Sequence, residues 1–209
     1  MSQPVPATLY RIGAAAGVGS SVILLINAAK RAEIIPTSAF TQLVAPLAQI
    51  FALAVITALY FAFGRLAGTL GLVAFLLNAF SLAALVGVEF VINLVFSDLP
   101  VDTIDALRAG TLGAALTVAS IAFLLGTLAY VTAMLRTRQV PTVPMVLYAV
   151  GAVPISLRAF VPEAALNLGL VSVALGVGWL GIWLFNRSND INTWAAHPIT
   201  RAPRASANH

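Results

Sequence analysis

Six apolar runs constrain this chain more than any other feature: residues 12–29, 40–63, 66–88 (extendable to 96), 109–135, 142–157 and 164–185. A helix that crosses a bilayer needs about 20 apolar residues, with roughly 17 to 25 tolerated. The chain therefore reads as all-α, an integral membrane bundle of six transmembrane helices. The loops are short, so sequential helices should pack mostly as antiparallel neighbours. Composition agrees. Soluble domains are about one quarter charged, whereas this chain is 9% charged and 60% hydrophobic, with a mean hydropathy of +0.99.

The first run could be mistaken for a signal peptide. At 18 residues it exceeds the usual signal core of about 7–15, and Lys30 and Arg31 follow it, so it reads as a retained signal-anchor. The fifth run is the shortest and carries Pro144 and Pro154; proline inside a membrane helix kinks it and frees a carbonyl. Residues 1–185 form the membrane domain. The polar remainder, 186–209, has no apolar periodicity and is expected to be disordered.

Orientation follows from basic residues near the helix ends. Arg11, Arg65, Arg136, Arg138, Arg187, Arg201 and Arg204 collect on one side. Lys30, Arg31, Arg108 and Arg158 lie on the other, diluted by Glu33, Asp98, Asp102, Asp105 and Glu163. The first side is expected to be cytoplasmic, with both termini inside and the chain in the inner (plasma) membrane as a multi-pass protein. Within the acidic loop "SDLPVDTIDALRAG", Asp102 is expected to N-cap a helix and Asp105 to sit in its first turn. A cation site built from Asp98, Asp102 and Asp105 lacks the ordered spacing of a calcium loop.

Polar residues inside the apolar runs are few: Asn27, Gln49, Asn78, Glu89 and Asn93, with Arg158 at the edge of the fifth. A central charge costs at least about 2.5–3.5 kcal/mol on insertion scales, which makes Glu89 in "LVGVEFVINLVF" conspicuous. Glu89 and Asn93 are four apart, hence on one helix face. Asn78 lies 11 residues earlier, about three turns at 3.6 residues per turn, near the same stripe. Glu89 falls about 10 Å below Phe96 along the helix, and Arg158 about 24 Å beyond Thr142, so both belong to the same outer layer. Arginine's planar fork suits a carboxylate. The expectation is a Glu89–Arg158 pair facing the bundle interior, closing a polar pocket lined by Asn93 and Asn27. Lys30 and Arg31 are rival partners that can instead snorkel to water. Together Glu89, Asn93, Arg158, Asn27 and Asn78 are the candidate ligand-binding residues.

The missing residue types limit the chemistry. Without cysteine there are no disulfides, thiolate metal sites or thiol nucleophiles. His197 and His209 both lie in the tail, so no helix supplies the imidazole that zinc or Ser-His hydrolysis needs. No second buried acid is available to partner Glu89 in acid–base work. Basic residues do not interleave with aromatics in a patch, which argues against nucleic acid as a partner. No cofactor is expected.

The stretch "LLGTLAYVTAMLRTRQVPTVPMVLYAVGAVP", residues 124–154, has a Gly–Tyr helix ending in Arg136-x-Arg138-x-x-Pro141, then an apolar helix with Gly151 at its middle. It resembles a family of six-helix bacterial membrane proteins, domain of unknown function 4386. The segment "LNAFSLAALVGVEFVINLV" is similar to that family's third helix, though uncharged residues around Ser81 replace an arginine common there. The resemblance implies a six-helix bundle and no assigned activity. Two functions are expected in order. The first is a non-enzymatic membrane protein binding a small ligand, a lipid, a membrane-protein partner or its own copy, as an accessory subunit would. The second is a small oligomeric transporter or channel using Glu89 as a proton or cation site.

Overall fold

The computed structural model of the 209-residue chain describes residues 7–196, with side chains described through Ser188. The described residues are all-α, and no strand occurs among them. The helices are α1 (Ala7–Arg31), α2 (Ala39–Val44), α3 (Leu47–Ala62), α4 (Gly68–Phe90), α5 (Val101–Ala109), α6 (Thr111–Arg136), α7 (Thr142–Ser156) and α8 (Glu163–Ala196). Pro46 separates α2 from α3, which together act as one apolar unit, Ala39–Ala62.

Five units are long and apolar enough to cross a membrane: Ala7–Arg31, Ala39–Ala62, Gly64–Asp98, Thr111–Arg136 and Glu163–Ser188. This is the composition of a membrane protein. The fifth apolar run departs from expectation. It folds into α7, only 15 residues long, or about 22 Å at 1.5 Å per residue. Pro141 sets its start, and the chain leaves the helix at Leu157, three residues after the internal Pro154.

Each long helix packs on its chain neighbour, and α8 returns to α1, so α1, α3, α4, α6, α7 and α8 close into a ring. Its interior is filled by Leu59, Leu82, Tyr130, Met134, Met145, Tyr148, Val177 and Leu180, each at most 2% exposed. Small residues permit the tightest crossings, as membrane helices require. A Cβ on Gly17 of α1 would lie 3.0 Å from the Gly181 Cα of α8, and one on Gly126 of α6 would lie 2.9 Å from the Asn78 Cα of α4. Three hydroxyls tie the ring together by donating to carbonyls of another helix, two between neighbours and one, from Tyr130 of α6 to α3, between helices that are not adjacent in the ring. Ser20 Oγ reaches Ala48 O at 2.8 Å, Tyr130 Oη reaches Ile56 O at 2.8 Å and Ser172 Oγ reaches Leu147 O at 2.9 Å.

Two further expectations are corrected. Asp102 does not cap α5: Pro100 holds the N-cap position, and Asp102 falls one step inside the first turn, where it still faces the positive end of the helix dipole. The tail does not begin where the apolar run ends, because α8 continues to Ala196. No glycine or proline interrupts the chain between Asn186 and Ala196, and the first breaker is Pro198. Residues 197–209 of the expected tail lie outside the described residues.

Candidate functional site

Four helix termini bring charged and polar side chains together at one bundle end. Lys30 and Arg31 end α1, Glu89 and Asn93 lie where α4 ends, Arg158 follows α7 and Glu163 opens α8. Alternating directions around the ring bring these termini together. Arg158 Nη1 lies 3.7 Å from Glu89 Oε1, the pairing that the depth argument expects, with side-chain exposures of 25% and 14%. This distance is an ion pair rather than a hydrogen bond. The shortness of α7 allows it: the helix stops at Ser156, and the following turn lowers Arg158 to the level of Glu89.

Beyond Phe90, α4 passes into a π-helical turn, Val91–Val95, carrying Asn93. Such turns pair residue i with i+5 and concentrate at functional positions. Here the Asn93 amide Nδ2 donates both to the Glu89 carbonyl O at 3.0 Å and to Glu89 Oε2 at 2.9 Å. The side chain thus locks its own backbone turn and one carboxylate oxygen together. Lys30 completes the chain of contacts, its Nζ donating to Asn93 Oδ1 at 2.8 Å. The snorkelling alternative for Lys30 gives way because Asn93 is buried and its acceptor oxygen would otherwise lack a partner. Arg31, the other rival, turns to Glu163, donating from Nε at 2.7 Å and from Nη2 at 2.9 Å in a bidentate clamp. Burial presses the Arg158 guanidinium below its ordinary range, Glu89 pulls it back up, and Arg31 and Arg108 press it down again.

Asn27, Glu89, Asn93 and Arg158 all line one cavity of about 20 Å³. A second void of about 20 Å³ is shared by Glu89, Asn27, Gln49 and Tyr148. Four of the five expected site residues therefore meet. Asn78 does not. It has the expected face but sits three turns deeper, fully buried, with its Oδ1 accepting from Thr127 at 3.2 Å and from Tyr148 Oη at 3.3 Å. Asn78→Leu should lower stability by about 1–2 kcal/mol, because it strands two buried hydroxyls. Denaturation in mixed detergent micelles measures this; an unchanged midpoint would show that the hydroxyls re-pair at no cost.

Beside the network lies a larger pocket, about 410 Å³, between the π-turn end of α4, the start of α6 and the loop after α7. Its polar lining includes Arg31, Arg108, Arg158 and Ser156, none of them acidic, and Val88, Ile92 and Leu116 contribute apolar wall. Arg108 and Ser156 were not legible as site residues, since neither stands out from ordinary loop or helix-end chemistry. Among the described residues, no group of three or more His, Cys, Asp or Glu side chains could hold a metal ion.

No family model matches the chain, and neither a curated protein nor a solved structure is significantly similar to it. The likeness to the six-helix bacterial family accordingly stands on its sequence motifs alone.

Proposed function

We propose that this is a six-span, multi-pass protein of the inner (plasma) membrane, with both termini cytoplasmic. It acts without catalysis, by binding a small ligand or lipid at the outer end of the bundle, in the manner of an accessory subunit. The observation that carries the reading is the 410 Å³ pocket adjoining the Glu89 network. Its volume lies within the range of about 300–1,000 Å³ usual for small-molecule sites, and it pairs apolar walls with a few convergent polar groups. The closed ring supports six traversals, with α7 as the short fifth and its ends bridged by turn residues.

Native mass spectrometry after gentle extraction tests the binding reading. A stoichiometric bound molecule is the expected result; bare protein at every detergent condition contradicts it. The lack of cysteine makes topology equally direct to test. Thr103→Cys should react with an impermeant thiol reagent in intact cells, and Thr137→Cys only after permeabilisation. The reverse pattern would invert the orientation.

One observation favours a transporter or channel as the second reading. Glu89 lines both voids of about 20 Å³, and each is large enough for one water, which needs roughly 10–15 Å³. A water file through them would let Glu89 relay protons. In liposomes this reading requires a gradient-driven flux that Glu89→Gln abolishes.

A further inference from the structure

Building on the ligand-binding reading, we propose that the pocket between α4 and α6 takes an anionic amphiphile. Its carboxylate or phosphate sits among Arg31, Arg108, Arg158 and Ser156, and its hydrocarbon chain runs along the α4–α6 wall.

Charge carries the first part of the argument. Three arginines, Arg31, Arg108 and Arg158, line the pocket, and the carboxylates that pair with two of them, Glu89 and Glu163, are not among its lining residues. The two carboxylates are already engaged by Arg158, Asn93 and Arg31. Arg108 has no carboxylate within ion-pair distance among the described residues; its guanidinium lies over the Phe96 ring, 5.3 Å from the centroid. That contact orients the fork without neutralising it. Arg31 and Arg108 both act repulsively on Arg158, an arrangement that an oxyanion between them would relieve.

Ser156 is the second, independent observation. It is 8% exposed, forms part of the pocket wall, and its Oγ has no hydrogen-bond partner. Other helix hydroxyls at this end behave differently: Thr117 and Ser120 both donate to the carbonyl four residues back, Gly113 and Leu116. A buried hydroxyl without a partner costs about 1–3 kcal/mol, and a ligand oxygen would remove that cost.

Depth supplies the third part. The pocket runs from Phe96 back through the π turn to Val88 of α4, and from Gly113 to Ser120 on α6, which is about 10–12 Å along each. The arginines all belong to helix ends or loops, whereas the deeper wall presents Val88, Ile92 and Leu116. Since the Thr117 and Ser120 hydroxyls are engaged with their own helix, that wall is effectively apolar. A free headgroup would leave it empty, and a neutral lipid would leave Arg108 without a counter-charge.

The test uses the full-length protein in a neutral maltoside detergent with a diazirine-bearing palmitate as photoprobe. Label is expected on the peptides 88–96 and 113–120. Oleate, phosphatidylglycerol, or both should compete at least about tenfold more effectively than neutral monoolein, and inorganic phosphate should not compete. Competition by oleate alone identifies a fatty acid as the source; competition by phosphatidylglycerol alone identifies a phospholipid. Arg108→Gln, an exposed position with no ion pair to break, should raise the half-saturating concentration about tenfold, and Ser156→Ala about threefold, whereas Arg65→Gln at the opposite end should change nothing. Equal competition by monoolein and oleate, or an Arg108→Gln protein that binds normally, overturns the anionic assignment while label in these peptides keeps the ligand pocket. Label elsewhere, or none, overturns both.

Discussion

Gly151→Leu is expected to prise α7 from α8 and to lower stability by about 3 kcal/mol, the upper end of the usual overpacking cost. A Cβ at this position would lie 2.6 Å from the Gly169 carbonyl and 2.8 Å from the Val173 nitrogen, both backbone atoms that no rotamer change can move. The damage should also spread, since α7 carries Tyr148 into the buried Asn78 cluster and leads directly to Arg158. Unfolding in mixed micelles, compared with Gly87→Leu, gives the measurement. Gly87 is the right control because nothing lies within 4 Å of its added Cβ. Equal midpoints for the two variants would mean that the α7–α8 contact is looser than described.

Arg158→Leu is the second large effect, with an expected loss of roughly 2–3 kcal/mol. Breaking a fully buried ion pair costs about 3–5 kcal/mol because the remaining charge is left uncompensated. The residual exposure of these side chains, 25% and 14%, lets solvent screen part of it, and Asn93 still donates to the carboxylate. Replacing both partners removes the orphan charge, so Glu89→Leu combined with Arg158→Leu should recover much of the loss.

Much of the architecture could be read from hydropathy, because helix length against bilayer thickness is nearly a one-dimensional constraint. The site was legible where local geometry suffices. Four-residue spacing put Glu89 and Asn93 on one face, and rise per residue placed Glu89 and Arg158 at similar depth. The same spacing argument placed Asn78 on the right face yet could not tell that Tyr148 and Thr127 would claim it three turns deeper. Lys30 departs from expectation for a related reason: snorkelling is the default for a terminal lysine, and only the π turn at Val91–Val95 brings an acceptor within its reach. That turn contains no glycine or proline to announce it. The Arg31–Glu163 clamp joins residues 132 apart, and the large pocket draws its lining from six separate stretches of the chain. Such features arise from tertiary arrangement, which periodicity does not encode.

The arrangement of this bundle end rests on Glu89 facing the interior and pairing with Arg158. A double-mutant cycle on unfolding free energy, using Glu89→Leu and Arg158→Leu separately and together, measures this coupling directly. An interaction of about 1.5–3 kcal/mol is expected, with the double variant more stable than either single one. Additive losses would contradict it, leaving Glu89 an interfacial carboxylate that happens to lie near an arginine.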